Sequence, residues 1–254
     1  MAWTYAHASV RGTSHVRAGT RLQDARKCFL VERSNSGQCF CAIVSDGAGS
    51  ADYGGEGASI VCRTLGERSR ASLSLSDALP TDEEIWAWID EVRDRIHLAA
   101  SNRESQARQF AATLVMVVAT KSEILSIHIG DGAIVARNRE TSAWCLISGP
   151  QNGEYASTTF FVTDDPAPAL RILRQPNQFD ALAAFSDGIE NLVLDGATHA
   201  PAGSFFGPMA RPLESATVTG HVESLSKGLA VFLGSDRVND RTDDDKTLVM
   251  AVLR

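Results

Sequence analysis

The stretch CAIVSDGAGSADYGGEGAS, residues 41–59, joins an apolar run to a segment with almost no large side chains. The run CFCAIVS (39–45) is rich in β-forming residues and predicts a buried core strand. This strand ends on Asp46, and the glycines that follow outnumber the one or two that a turn requires. Two interpretations fit this segment: a long flexible loop, or a backbone that approaches a ligand closely, with the Asp46 carboxylate directed at that ligand.

The composition of the 254-residue chain is that of a globular protein, with 44% hydrophobic residues and a net charge of −7. The negative charge argues against nucleic acid or an anionic membrane as the main partner. No apolar run approaches the ~20 residues that span a bilayer, and residues 1–15 lack the pattern of a signal peptide. Five cysteines are a sparse, odd set that indicates reduced thiols and a cytoplasmic location.

A zinc site at Cys39 and Cys41 is disfavoured. Both cysteines lie inside the predicted strand, and no second pair of cysteine or histidine residues has zinc spacing. His128 alternates within another predicted strand, and we interpret it as a structural histidine.

Hydrophobic patterning predicts strands separated by helices. Strands are predicted at 39–45, 112–120, 123–130, 133–137, 181–188 and 247–253. The short turns between 112 and 137 favour three consecutive antiparallel strands. Because neighbouring strands are joined by turns, we expect an α+β fold with helices packed over antiparallel sheets, forming one domain over residues 1–254.

The clearest helix signal is TDEEIWAWIDEVRDRIHLAA (81–100), where Thr81 and Glu84 have the spacing of a capping box. Further helices are predicted at about 56–68 and 222–233.

Two regions, 138–176 and 195–212, contain prolines and glycines that break any long element. We expect both to be irregular segments, of the kind that often form functional flaps.

Aspartates recur at the ends of the predicted strands. Asp46 and Asp187 each follow an apolar run through a serine, and Asp131 lies in a tight Gly-Asp-Gly turn. Asp24 and the run 243–245 precede other apolar runs. Ionised carboxylates at the ends of core strands are costly unless a cation or a donor meets them. Together they predict an all-oxygen site that suits Mg²⁺ or Mn²⁺ better than zinc.

These motifs, taken in order, resemble the type 2C metal-dependent protein serine/threonine phosphatases, and most closely the small bacterial members. The resemblance extends from Gly12 to the C-terminus. The motifs are QDA (23–25), SDGAG (45–49) with GEGAS (55–59) downstream, ATLV (112–115), IGDG (129–132), FSDGI (185–189) and DDKTLV (244–249). The resemblance implies a β-sandwich of two antiparallel sheets flanked by helices, in four αββα layers.

The resemblance also implies a set of metal ligands. Asp46 would bridge two Mn²⁺ or Mg²⁺ ions, and the carbonyl of Gly47 would bind one of them. Asp187 and Asp244 would hold the other ion. Asp131, with help from Asp187, would hold a third ion of the kind found in bacterial relatives.

Catalysis in such a site would use a hydroxide held between two ions, attacking the phosphorus in line without a phosphoenzyme. Asp24 would orient the metal-bound water. Thr113 and Thr247 match family positions that imply packing or supporting roles.

The chain departs from the family at the position five residues before Asp24, where an arginine commonly grips the phosphate. Here this position is Gly19. In an extended strand, residues 17, 19 and 21 face the same way, so we expect Arg21 to bind the phosphate, with Arg17 second. His15 is a minor candidate for the proton donor.

The predicted function is metal-dependent dephosphorylation of phosphoserine and phosphothreonine in proteins, with the substrates of a cognate kinase as partners. Two alternatives stay open. One is a non-catalytic relative that binds phosphoproteins or regulates a partner, and the other is a hydrolase of small phosphoesters with the same site.

Overall fold

A computed structural model describes residues 2–33, 37–151 and 159–254. The strands are β1 (Trp3–Val10), β2 (Ala25–Arg33), β3 (Gly37–Ser45), β4 (Leu114–Ala119), β5 (Glu123–Ile129), β6 (Ala133–Asn138), β7 (Trp144–Ser148), β8 (Arg171–Pro176), β9 (Phe179–Phe185), β10 (Gly220–His221) and β11 (Lys246–Leu253). The α-helices are α1 (Thr13–Ala18), α2 (Gly54–Leu75), α3 (Asp82–Asn102), α4 (Glu190–Val193), α5 (Gly203–Glu214), α6 (Glu223–Leu233) and α7 (Asp236–Asn239). Short 3-10 turns span Ala107–Phe110 and Asp187–Ile189.

The strands form two sheets that pack face to face. One sheet has the order β10-β1-β11-β9-β6-β7 and the other the order β2-β3-β4-β5-β8. All pairings are antiparallel except that of β1 with the short β10. One apolar core fills the space between the sheets, a second packs α2 and α3 on the outside of the β2–β8 sheet, and a third packs α5 and α6 on the other sheet. The predicted four-layer α+β sandwich is therefore confirmed.

Helix α3 (Asp82–Asn102) shows why patterning identified this helix well, whereas α2 extends to Leu75, seven residues beyond its predicted end. Thr81 accepts a hydrogen bond from the Glu84 backbone, and the Glu84 carboxylate accepts one from the Thr81 backbone, so the predicted capping box is present. Its apolar face is fully buried at Ile85, Ile89 and Ile96. This burial against α2 and the sheet supplies most of the helix's stability, since isolated helices are marginal in water.

The expected three-stranded antiparallel unit between 112 and 137 is wrong in its last strand. β4 pairs with β5 as predicted, but β6 joins the other sheet, between β9 and β7. Gly130 has a φ of +106°, and this conformation carries the chain from one sheet to the other. The predicted hairpin turn is therefore a β5–β6 crossing, a connection from one sheet to the other, and Asp131 lies in this connection.

The two regions expected to be irregular contain regular elements. β7 and β8 lie within 138–176, although residues 152–158 of that region fall outside the described part. α5 covers the second half of 195–212 despite Pro208 and Pro212. Phe206, Ala210 and Leu213 are buried on its inner face. This packing outweighs the local cost of the prolines, which sequence patterning treated as decisive.

Gly57 in α2 tests how tightly this helix packs on the 3-10 turn Ala107–Phe110, which precedes β4. A Cβ on Gly57 would lie 2.0 Å from the backbone carbonyl oxygen of Phe110. We expect Gly57→Ala to destabilise the protein by about 1–3 kcal/mol, because backbone must move to admit the methyl group. The matched change Gly228→Ala in α6 meets nothing within 4 Å, so it should stabilise by about 0.5–1 kcal/mol. Urea unfolding of both variants measures the difference, and equal effects would contradict the packing described.

Candidate active site

The register of the sheets brings the predicted acidic residues to one edge of the sandwich. Ser45 at the end of β3 lies opposite Ala25 at the start of β2, so Asp46 and Asp24 are neighbours across that sheet. In the other sheet, Phe185 at the end of β9 pairs with Leu248 near the start of β11. Asp187 therefore emerges beside the 243–245 segment, and the sequence motifs meet as predicted.

Three carboxylates form the centre of this edge. One oxygen from each of Asp46, Asp131 and Asp187 lies within 4.8 Å of the other two. They come from the end of β3, the β5–β6 crossing and the end of β9, so both sheets contribute. Among the described residues, no other group of three or more His, Cys, Asp or Glu side chains meets the same criterion.

The electrostatics of the centre are those of crowded, like-charged groups. Burial raises the pKa of Asp46 well above its usual range, and the charges of Asp24 and Asp187 raise it further. Burial, followed by the charges of Asp131 and Asp244, raises the pKa of Asp187 to about 8. Burial also raises the pKa of Asp131. A cation at this centre would remove the repulsion and favour the ionised carboxylates.

Asp24 lies behind these groups and is 7% exposed. Its Oδ2 accepts a hydrogen bond of 2.8 Å from the Ser186 hydroxyl, and burial raises its pKa to about 6. Ser186 Oγ also accepts from the backbone N–H of Thr247, so it joins Asp24 to the start of β11. Sequence reasoning passed over Ser186, although the serine that precedes the aspartate in FSDG was its signal.

The carboxylates have unmet hydrogen-bonding capacity that a cation can satisfy. Oδ2 of Asp131 accepts from the Thr159 hydroxyl, but Oδ1 is buried without a partner in the described chain. Oδ1 of Asp24 is buried in the same way. Buried polar atoms are nearly always paired, so these oxygens, with the triad, fit an oxygen-coordinated divalent ion such as Mn²⁺ or Mg²⁺.

Asp244 lies beside the triad. A Cβ on Gly188 would lie 3.6 Å from the Cβ of Asp244, which places Asp244 next to Asp187. Its side chain is 51% exposed, and its Oδ1 accepts from the backbone N–H of Asp245 at 2.7 Å. Asp244 is therefore oriented by the backbone and accessible from solvent at the edge of the centre.

Gly47 has a packing reason to be glycine. A Cβ there would lie 2.2 Å from the carbonyl carbon of Gly54 at the start of α2. This close approach explains part of the glycine excess in 41–59. Coordination of an ion by the Gly47 carbonyl stays a prediction. The two predicted supporting threonines behave as expected: Thr113 Oγ1 accepts from the Asp46 backbone N–H at 3.0 Å, and Thr247 Oγ1 lies 2.6 Å from Ser9 Oγ.

The argument that placed Arg21 and Arg17 on one face of a strand is wrong. Residues 13–18 form α1, and Gly19 ends this helix in the left-handed conformation. Arg17 pairs with Asp243 at 2.8 Å. Arg21 instead lines a groove of about 700 Å³ with Arg103 and Gly55. Its side chain makes no hydrogen bond or ion pair with the described residues, so it is available to a ligand.

The secondary expectations about histidine and cysteine are consistent with the structure. His128 is fully buried, and its Nδ1 lies 2.7 Å from Ser148 Oγ. Cys39 and Cys41 are buried in β3, and burial raises the pKa of the Cys39 thiol to about 12. Both thiols are free and face apolar cores rather than the carboxylate centre.

A two-sheet sandwich covered by helices, with a carboxylate centre for divalent ions at one sheet edge, defines the class of metal-dependent protein serine/threonine phosphatases. The chain belongs to the protein phosphatase 2C family, whose model matches residues 11–233. It is 34% identical over 258 residues to serine/threonine-protein phosphatase 3 of Escherichia coli (strain K12), and the match covers 99% of each chain. The protein is thus a metal-dependent phosphatase that acts on phosphoproteins.

Solved structures show the same fold. The catalytic domain of the serine threonine protein phosphatase PstP, in complex with two manganese ions, superposes with a TM-score of 0.67 at 15% identity, covering 99% of this chain and 98% of that one. The serine/threonine phosphatase Stp1 from Staphylococcus aureus superposes with a TM-score of 0.65 at 15% identity, covering 100% and 96%.

Proposed function

We propose that the protein hydrolyses phosphoserine and phosphothreonine in protein substrates at the edge where Asp46, Asp131 and Asp187 meet. The observation that carries this proposal is the 4.8 Å triad, because three carboxylates this close require cations or protons. Asp244 and the carbonyl of Gly47 would complete the ligand set. Two or three Mn²⁺ or Mg²⁺ ions, when bound there, would supply Lewis acidity and activate water near neutral pH.

The chain's own contribution is to hold these groups rigidly. Asp46 and Asp187 extend from central strands of different sheets, so the packing between the sheets fixes their separation. Asp24 Oδ2 accepts a hydrogen bond from the Ser186 hydroxyl, and its Oδ1 has no hydrogen-bond partner in the described chain. We assign Asp24 the role of orienting the water that attacks the phosphorus, because Asp24 is buried beside Asp46.

We assign phosphate binding to Arg21 first and Arg17 second. Arg21 supports this assignment because its side chain is unpaired and lines the groove that contains Gly55, next to the backbone packed on Gly47. Arg17 is the weaker candidate because Asp243 already pairs with it.

Replacing Arg21 tests this assignment. We expect Arg21→Ala to raise KM for a phosphopeptide about tenfold, since a charge-assisted hydrogen bond contributes about 1.5 kcal/mol or more. Arg63→Ala, on the exposed face of α2, is the matched control. Steady-state kinetics that leave both KM and kcat of the Arg21 variant unchanged would remove Arg21 from the site.

We further infer that residues 1–254 act as one catalytic domain in the cytoplasm, on substrates of a cognate serine/threonine kinase. The family model and the relative from Escherichia coli each match the chain in one continuous stretch, which supports a single domain. The net charge is −7, which disfavours an anionic surface as partner. In the part of the chain that the structure describes, no helix is both long and apolar enough to cross a bilayer.

A comparison of substrates tests the proposed function. A phosphothreonine peptide and p-nitrophenyl phosphate are each supplied with Mn²⁺ at equal concentration. We expect a higher kcat/KM for the peptide, because the groove at Arg21 is large enough to contact residues beside the phosphate. A clear preference for p-nitrophenyl phosphate would favour a small-phosphoester hydrolase, and Mn²⁺-dependent binding of the peptide without hydrolysis would favour a non-catalytic protein.

A further inference from the structure

Helix α1 contacts an acidic residue of the chain itself, Asp243. The backbone N–H of Ser14 and its hydroxyl both donate to the carbonyl oxygen of Asp243, at 2.9 and 2.6 Å. Arg17 donates to the carboxylate of the same residue. Gly12 lies so close that a Cβ there would be 2.4 Å from the Asp243 carbonyl oxygen. Helix α1 is therefore fastened to the acidic segment 243–245.

Asp245 is the buried member of that segment, with a side chain 1% exposed. Its Oδ1 accepts from the backbone N–H of Gly12 at 2.6 Å, and its Oδ2 accepts from that of Gln23 at 2.6 Å. His15 Nδ1 lies 3.0 Å from Oδ1, within ion-pair distance but without a hydrogen bond. Each Asp245 oxygen thus accepts a backbone N–H in a buried position, whereas Asp244 is half-exposed.

The contacts of Asp245 join the two segments that carry acids of the active site. Gln23 precedes Asp24, and Asp244 precedes Asp245. The backbone N–H of Asp245 also donates to Asp244 Oδ1, and His15 Nε2 lies 3.9 Å from that same oxygen. The Asp245 carboxylate therefore joins the segment that carries Asp24 to the segment that carries Asp244, whereas the Asp245 backbone and His15 lie against Asp244 Oδ1.

We propose that Asp245 and His15 are positioning residues for the metal centre, holding the ligand Asp244 and the water-orienting Asp24 in place relative to each other. This inference rests on the proposed function of the site. Asp244 lies in a loop before β11 and is half-exposed, so the strands alone do not fix it. Groups that orient metal ligands typically contribute about 10–100-fold to metal affinity or activity.

Two substitutions of His15 separate positioning through Asp245 from simple space filling. The amide nitrogen of asparagine matches Nδ1 of histidine, whereas that of glutamine matches Nε2. We expect His15→Asn to keep the contact with Asp245 and to bind Mn²⁺ within about threefold of the wild type. His15→Gln loses that contact and should weaken Mn²⁺ binding about tenfold, and Asp245→Ala about 10–100-fold.

The measurement is the Mn²⁺ dissociation constant, obtained from the electron paramagnetic resonance signal of free Mn²⁺. Circular dichroism of the metal-free proteins reports whether each variant is folded. His97→Asn and His97→Gln, on the exposed face of α3, are the matched controls. If Asp245→Ala does not fold, the pair of His15 variants decides the question.

Folded His15→Gln and Asp245→Ala proteins with wild-type Mn²⁺ affinity would overturn the positioning role. Equal weakening in His15→Asn and His15→Gln would also overturn it, because the contact at Nδ1 would then be irrelevant. A wild-type protein that binds Mn²⁺ but releases no phosphate from a phosphothreonine peptide contradicts the proposed function instead. In that case the affinities of the variants still decide the role of Asp245 and His15.

Discussion

Replacing Asp46 by asparagine should abolish phosphatase activity without unfolding the protein. Asp46 belongs to the triad and is the neighbour of Asp24 across the β2–β3 pair. The charges of Asp24 and Asp187 both raise the pKa of Asp46. An amide cannot supply the negative charge that two cations require, so we expect kcat/KM to fall at least about a thousandfold, or about 4 kcal/mol. The substituted amide has nearly the same volume, so the packing of β3 should be preserved.

The same substitution should make the metal-free protein at least as stable as the wild type. Asparagine removes a buried carboxylate that pays the cost of desolvation and repels Asp24 and Asp187. Phosphate release from a phosphothreonine peptide measures activity, and urea unfolding in EDTA measures stability. Asp94→Asn on the exposed side of α3 serves as the control. An active Asp46→Asn enzyme would exclude Asp46 from the metal centre.

The second large effect is a pH dependence of stability that divalent ions reverse. Asp187 has a pKa of about 8 in the metal-free fold against an ordinary value of 3.8. Between these values the folded state binds more protons than the unfolded state, so stability falls as pH rises from about 4 to about 8. Asp24, with a pKa of about 6, contributes in the same direction.

Mn²⁺ competes with these protons, so its stabilising effect should increase over the same pH range. Saturation at a thousand times the dissociation constant contributes about 4 kcal/mol, which corresponds to roughly 8–16 °C in Tm for a protein of this size. Thermal unfolding at pH 5 and pH 8, with EDTA or with Mn²⁺, measures both effects. A metal-free Tm that rises between pH 5 and 8 would contradict the assignment of a crowded carboxylate centre.

The predictable part of the molecule is the part in which local pattern and tertiary packing agree. The apolar run that ends at Ser45 predicts a buried strand, and in the folded protein it forms the interior strand β3, which is buried on both faces. Because the strand was predicted correctly, the position of Asp46 at its end was predicted correctly too. Helix α3 combines a capping box with an apolar face, so its start followed directly from the residues, and its end at Asn102 lies two residues beyond the predicted one.

The predictions from sequence were wrong where a contact between residues distant in the chain overrides the local pattern. Gly130 looked like part of a hairpin turn, and only pairing with β9 shows that the chain changes sheets there. The extended conformation expected at 17–21 is replaced by α1, which is held in place by Asp243, more than two hundred residues away in sequence. No local signal reports such a partner.

The acidic run at 243–245 is a second place where local sequence does not reveal the long-range contacts, here within the site itself. Three adjacent aspartates have identical chemistry, and motif matching selected Asp244 as the ligand. The structure separates them by surroundings: Asp243 binds α1, Asp244 lies half-exposed beside Asp187, and Asp245 is buried and accepts from backbone donors. The support that Asp245 gives to the site therefore depends on contacts that only the folded chain reveals.

The central claim, that this carboxylate centre holds divalent ions that drive phosphate removal, is tested most directly by chelation. Hydrolysis of a phosphothreonine peptide is measured for the purified protein, then after EDTA, then after an excess of Mn²⁺. We predict that EDTA abolishes phosphate release and that Mn²⁺ restores it in the wild type but not in Asp46→Asn. Activity that survives complete removal of divalent ions would contradict this account.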